Sequence, residues 1–294
     1  MRFLSQLFSG FLFPVFLLFH SDYLSAQQIE ETDWREQMKL LNYSPRYFGP
    51  NAFRIHDLQS GRLGTRWEIE VRGEYHYFSG DPTKDLFGRL YIPIANGKAG
   101  IEISGVVVET YLTDEVTQKE RHAAENQPLF TCTGDLIITS FYQALQSDQW
   151  CDLTFSGSLK TASGNRLCDA RYTDAASYWF EMTAGRYLFQ TADQRFSFRL
   201  QGMIGFYCWM TNDLVHRQND AILYGYGGSL NILNLSLSAN WSGFYGYKND
   251  GDRPVIFRSK LNYEYKKNIL SLRYNHGIRD FIYDTYSVGY IRCF

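Results

Sequence analysis

Apolar and polar residues alternate along most of this 294-residue chain from position 66 onward, which is the pattern of β-strands with two different faces. Residues 66–78 are the clearest case, because Ile69 and Val71 fall on one face while Glu70 and Arg72 fall on the other. The same alternation occurs in residues 86–95, 100–112, 129–145, 150–160, 176–189, 196–210, 221–232, 235–248, 255–266, 269–276 and 284–294. The pattern therefore predicts an all-β protein of about twelve strands.

The links between these segments alternate in length. The short ones are residues 96–99, 146–149, 190–195, 233–234 and 267–268, and the longer, more polar ones are 113–128, 161–175, 211–220, 249–254 and 277–283. Short links on one rim and long links on the other are typical of transmembrane up-and-down antiparallel β-barrels, whose short turns lie in the periplasm. An even number of strands puts both ends of this barrel, residues 66 and 294, on the short-turn side.

Alternation alone does not distinguish a membrane barrel from a soluble one, since the two differ only in which face points inward. The end of the chain, YSVGYIRCF, alternates apolar residues and finishes in Phe294. It resembles the C-terminal signal strand of bacterial outer-membrane β-barrel proteins, although Arg292 stands where that family usually has an apolar residue or Tyr. Aromatic residues also gather toward strand ends, as at Trp209 and Phe244, which looks like a membrane-interface girdle or a set of cross-strand pairs.

The resemblance covers roughly residues 66–294 and implies a porin-like barrel in the outer membrane of a Gram-negative bacterium. It implies contact with outer-membrane lipid and lipopolysaccharide, and with the barrel assembly machinery through the strand that ends at Phe294. The near balance of 29 basic and 31 acidic residues argues against a nucleic-acid partner. A secreted soluble barrel that binds a small apolar ligand is the alternative, and the oligomeric state stays open.

The first 26 residues have the features of a secretory signal peptide. Residues 8–19 are mostly apolar but too few to cross a membrane, and the small residues Ser25 and Ala26 offer a cleavage site. A signal anchor is the alternative. We therefore predict that residues 1–26 are removed and that the mature protein is exported.

Residues 27–65 form a separate segment before the first strand, which we assign to the periplasmic side. Asp33 and Glu36 have the spacing of a capping box, which predicts a short helix that runs to Leu41. The aromatic and proline residues that follow predict a docked segment that packs at the periplasmic mouth or enters the lumen. A disordered leader is the alternative.

Charged side chains occupy the polar faces of the strands. If the apolar faces contact lipid, the lumen is lined by Arg66, Glu68, Glu70, Arg72, Glu74, Arg89, Glu181, Arg199, Arg258, Lys260 and Arg273. Since buried charges must be paired or hydrated, the lumen is either water-filled or sealed by ion pairs. The expected function is a small pore or channel, or a structural surface barrel. The alternation slips after Gly105, so we predict a β-bulge that keeps Glu109 out of lipid.

Signals for catalysis, metals and cofactors are weak, and we predict no enzyme, no metal and no cofactor. Outer-membrane phospholipases of similar size place a Ser and a His on the lipid-facing side. A turn at residues 267–268 would put His276 opposite Ser259, so a lipid hydrolase is a minor alternative. The five cysteines do not have zinc-site spacing, and a disulfide between Cys132 and Cys168 is a hypothesis.

Overall fold

The computed structural model describes residues 39–123, 130–193, 195–211, 213 and 215–294. The predicted signal peptide and the capping box at Asp33 and Glu36 lie outside the described residues. Among the residues that are described, no helix is both long enough and apolar enough to cross a membrane.

The described chain is built almost entirely from antiparallel strands. In chain order they are β1 (Glu68–Tyr77), β2 (Thr83–Ile94), β3 (Ala99–Tyr111), β4 (Phe130–Cys132), β5 (Leu136–Leu145), β6 (Asp152–Lys160), β7 (Ser177–Gln190), β8 (Phe196–Met210), β9 (Gln218–Ile232), β10 (Leu235–Gly246), β11 (Val255–Tyr265), β12 (Asn268–Arg279) and β13 (Asp284–Cys293). The short β4 pairs only with the end of β3, which also pairs with β5. The other twelve strands pair in sequence, and pairing of β1 with β13 closes them into a barrel. The predicted all-β, up-and-down antiparallel barrel is confirmed.

The apolar faces of the strands point away from the lumen. In β1, Ile69 and Val71 are 45% and 49% exposed, whereas Glu70 and Arg72 are 2% and 7% exposed. An outward apolar surface is costly in water and favourable in hydrocarbon, so this orientation is that of a membrane barrel. It is the opposite of the orientation that a soluble barrel with an apolar ligand pocket requires.

A β-bulge in β3 keeps a carboxylate inside the barrel. The partner of Leu86 is Val108, but the partner of Phe87 is Val106, so Val107 is an extra residue in the pairing. Val107 and Val108 are therefore both exposed on the apolar surface, and Glu109 turns inward, where it is buried. The predicted bulge is confirmed.

The two rims of the barrel differ as the alternating links predict. The short-turn rim carries residues 95–98, 146–151, 191–193, 195, 233–234 and 266–267, together with both ends of the barrel. The long-loop rim carries the two longest links, of which the structure describes residues 112–123, 130–135 and 161–176. The first of these contains helix α1 (Glu115–Arg121), whose N-cap Asp114 accepts a 2.8 Å hydrogen bond from the backbone N–H of Thr117. These long links bring buried side chains over the end of the lumen.

Candidate functional site

The segment before β1 lies inside the barrel. Near the long-loop rim, Asn42 and Ser44 donate hydrogen bonds to the carbonyl oxygen of Asp250, at 2.9 and 3.0 Å. Near the short-turn rim, the backbone N–H of Leu63 donates to Oε1 of Gln143 at 2.7 Å. Residues 41–65, called the lumen segment below, therefore run through the barrel from one rim to the other.

Side chains of the barrel wall hold the backbone of the lumen segment. Arg258 donates to the carbonyl oxygens of Ile55 and His56, and Arg199 donates to that of Ser60 at 2.8 and 2.9 Å. These carbonyl groups lie outside the sheet and need donors from elsewhere, because buried backbone oxygens are costly to leave unpaired. Two of the arginines predicted in the lumen thus bind the chain's own backbone.

An aromatic core fills the lumen near the long-loop rim. Phe53 of the lumen segment lies 5.7 Å from the ring of Trp209, which in turn lies 5.4 Å from Phe244. The indole N–H of Trp209 also donates to the carbonyl oxygen of Tyr43 at 2.9 Å. The assignment of Trp209 and Phe244 to an interface girdle is therefore wrong. Both rings point inward because the lumen segment supplies an apolar partner there.

A buried ionic network closes the same end of the barrel, and we call it the long-loop network. Its members are Asp81, Glu109, Arg121, Arg171 and Tyr283. The guanidinium of Arg171 lies 2.5 Å from Asp81 and 2.6 Å from Glu109, while Arg121 reaches Asp81 at 2.7 Å and the hydroxyl of Tyr283 at 2.8 Å. Burial opposes ionisation of Asp81, but the adjacent Arg171 and Arg121 outweigh it and lower the pKa of Asp81 to about 2.

The lumen segment leaves a cavity of about 390 Å³ between itself and the barrel wall. This lumen cavity is lined by the lumen segment, by strands β1 to β3, β5, β6 and β10 to β13, and by Asp135, Tyr172 and Phe281 of the links. Eight of the eleven side chains predicted to face the lumen border it, namely Glu68, Glu70, Arg72, Glu74, Arg89, Arg258, Lys260 and Arg273. The cavity has the volume of a small-molecule site.

The other three predicted residues lie elsewhere. Arg66 forms a half-exposed ion pair with Glu264 at 3.0 Å on the short-turn rim. Glu181 contacts Nδ1 of His56 at 2.5 Å, so it fixes the lumen segment. Arg199 bonds Asp152 at 2.6 Å in addition to the backbone of the segment.

Ion pairs cross the closing edge of the barrel. Glu70 on β1 accepts hydrogen bonds from Arg72 at 2.8 Å, from Arg89 on β2 at 2.8 Å and from Arg273 on β12 at 2.6 Å. Arg89 also reaches Glu68 at 2.6 Å. The side chain of Glu68 is 24% exposed, whereas Glu109 at the other end is 1% exposed. The lumen cavity therefore opens toward the short-turn rim.

Two cavity residues in the lumen segment were missed by sequence reasoning. Asp57 lies 3.2 Å from Arg258 and 3.9 Å from Arg273, and Arg54 lies 3.8 Å from Asp57. The Asp57 carboxylate therefore lies between guanidinium groups of the lumen segment and of the barrel wall. The segment has no strand periodicity, so the only signal was the presence of two charged residues, Arg54 and Asp57, three positions apart.

The serine–histidine pair proposed for lipid hydrolysis is not formed. Tyr265 pairs with Asn268, so the turn is residues 266–267, one position earlier than predicted. Ser259 then pairs with Tyr274, and His276 pairs with Phe257. The imidazole of His276 instead contacts Asp284 at 2.7 Å.

The candidate metal ligands have protein partners, and the cysteines form no disulfide among the described residues. Glu74, His76 and Asp85 have their ligand atoms within 4.8 Å of one another, but His76 bonds Asp85 at 2.7 Å and Glu74 bonds Arg72. All five cysteines of the sequence lie in the described ranges and are free, so the disulfide between Cys132 and Cys168 is not formed.

Comparisons with known proteins identify the fold. No protein-family model matches the chain, and no curated protein matches it in sequence. The barrel is similar to an outer membrane channel from Pseudomonas putida, with a TM-score of 0.56 and 11% identity over 82% of this chain and 100% of that chain. The KdgM porin gives a TM-score of 0.46 and 12% identity over 77% of this chain and 99% of that chain. The chain therefore has the fold of outer-membrane β-barrel proteins.

Proposed function

We propose that the protein is an exported outer-membrane channel for small solutes, narrowed by its own lumen segment. The observation that carries this proposal is the lumen cavity, because ionised side chains that pair along the barrel wall also border open space there. Hydrated charge along a barrel wall is what a polar solute needs to enter an otherwise apolar membrane. The outward apolar surface supports contact with outer-membrane lipid and lipopolysaccharide.

The C-terminal strand supports assembly through the machinery that reads such strands. Phe294 is exposed at the short-turn rim next to Trp67, whose carbonyl oxygen accepts its backbone N–H at 3.0 Å. Arg292, the departure from the usual pattern, bonds Asn268 at 2.7 Å on the same rim. The cationic side chain thus lies where polar groups are accessible and stays out of the hydrocarbon.

A structural barrel without conduction is the second candidate, and the long-loop network favours it. Arg171 and Asp81 are fully buried, so the network leaves no polar path through that end of the lumen. As a channel, the protein must therefore open by movement of the links that carry Arg121 and Arg171. The proposed channel is closed at rest and conducts in brief openings.

Single-channel recording in planar bilayers tests conduction. The inward Ser238 borders the lumen cavity, and the neighbouring Leu237 is exposed on the apolar surface. We expect Ser238→Trp to reduce the open conductance by roughly twofold or more, because the indole occupies the cavity. The matched variant Leu237→Trp should conduct like the parent. A heat-modifiability gel shows whether the parent protein is folded. If folded parent protein gives no conductance, the channel proposal is wrong and the structural barrel remains as the function.

A further inference from the structure

We propose that the lumen cavity binds a small oxyanion, a carboxylate or a phosphate, at Lys260 between Arg258 and Arg273. This inference rests on the proposed channel function and names the class of solute. It comes from an excess of positive charge at one place on the barrel wall.

Three cationic side chains share one patch of the inward surface. Lys260 on β11 lies directly opposite Arg273 on β12, and Arg258 precedes Lys260 by two residues on the same face. Like charges directly opposite each other destabilise an antiparallel pair. A counter-charge between them is therefore needed to make the arrangement favourable.

The carboxylates in the cavity are already committed to other groups. Asp57 is shared by Arg54, Arg258 and Arg273. Glu70 is shared by Arg72, Arg89 and Arg273. Each of these carboxylates thus serves three guanidinium groups, and neither forms a hydrogen bond with Lys260.

Lys260 has no protein partner of its own. Its ammonium group forms no hydrogen bond or ion pair with any residue in the described ranges. The side chain is only partly exposed and borders the cavity. On its other side, across the strand pair, it faces the small side chain of Ser238. An unpaired ammonium in a confined space needs water or an anion to satisfy its three donors.

An oxyanion fits this patch better than other solutes do. Its oxygens accept hydrogen bonds from the ammonium of Lys260, and the guanidinium groups of Arg258 and Arg273 supply further positive charge beside it. A cationic solute would face the same three positive groups. The cavity volume of about 390 Å³ limits the ligand to a small molecule.

Calorimetric titration of folded protein in detergent with inorganic phosphate, and separately with acetate, tests the site without requiring conduction. We expect the parent to bind phosphate and Lys260→Gln to bind it about tenfold more weakly or worse, since a charge-assisted hydrogen bond is lost. Lys260→Arg should retain most of the affinity. Lys84→Gln, which removes an exposed lysine on β2, is the matched control and should bind like the parent.

Bilayer recordings with the same variants separate the two proposals. If the parent conducts anions in preference to cations, and Lys260→Gln conducts with a weaker preference or none, both the channel and the anion site are supported. Conduction with no difference between the parent and Lys260→Gln, together with equal phosphate affinities, overturns the anion site and leaves the channel. Phosphate binding that depends on Lys260 without any conduction overturns the channel and leaves the anion site.

Discussion

The two halves of the lumen hold the same kinds of charged groups in different ways. Near the long-loop rim, two buried cations, Arg171 and Arg121, are matched by two buried carboxylates, those of Asp81 and Glu109. Around the lumen cavity, Glu70 and Arg72 are buried, but Glu68, Lys260 and Arg273 are partly exposed. Several cations share each carboxylate there, and Lys260 has no ion-pair partner among the described residues. The comparison shows that a dry interior requires matched charges, whereas a hydrated one tolerates an excess.

The lumen segment is the cause of this difference. Its aromatic residues, among them Phe48 and Phe53, pack against the wall near the long-loop rim and exclude water there. Its charged residues Arg54 and Asp57 face the lumen cavity. One extended stretch of chain thus divides the barrel into a packed half and an open half.

The largest effect is expected from breaking the matched charges. Arg171→Met leaves the carboxylate of Glu109 without its guanidinium partner in a buried position and removes one of the two from Asp81. We expect the free energy of unfolding in urea to fall by about 3 to 5 kcal/mol. Arg195→Met removes a cation from an exposed pair with Asp193 and should leave the free energy of unfolding nearly unchanged. Equal losses of unfolding free energy in the two variants would contradict the conclusion that the long-loop network lies in a part of the lumen without water.

A smaller loss is expected from truncating the packed core. Leu223 is fully buried in the aromatic core, and Leu237 is exposed on the outer apolar surface. Leu223→Ala should lower the free energy of unfolding by about 3 kcal/mol, because it loses transfer energy and leaves a cavity. Leu237→Ala loses only contact with lipid or detergent, so its cost should be smaller. A similar cost for both would mean that the lumen segment does not pack tightly in solution.

The sequence was sufficient to predict the twelve barrel strands, the outward apolar faces and a bulge after Gly105, although residues 129–145 form two strands and not one. Period-two alternation is a local property, and hydrocarbon penalises any charge that departs from it. The inward position of Trp209 was also accessible, since it lies ten residues after Arg199 and so on the same face of β8. It was missed because residues 206–210 are apolar on both faces.

Other features depended on contacts that no local pattern records. The path of the lumen segment is set by bonds such as that from Arg258 to Ile55, between residues about 200 positions apart with no strand pairing between them. The register of β11 and β12 was wrong because a two-residue turn moved by one position, which changes every cross-strand partner. The excess charge at Lys260 appears only when all partners in the cavity are counted.

The smallest effect concerns the response of the packed half to acid. The pKa of Asp81 is lowered to about 2 in the folded protein, against about 3.9 for an unperturbed Asp. The stabilisation by ionised Asp81 is therefore fully present above pH 4 and is lost as the pH falls through 2, with a magnitude of about 2 kcal/mol. Other carboxylates also titrate in this range, so the Asp81→Asn variant isolates the contribution. We expect it to be less stable than the parent at pH 7, with the difference narrowing between pH 4 and pH 2. A constant difference across that range would mean that the ionised form of Asp81 does not hold the long-loop network together.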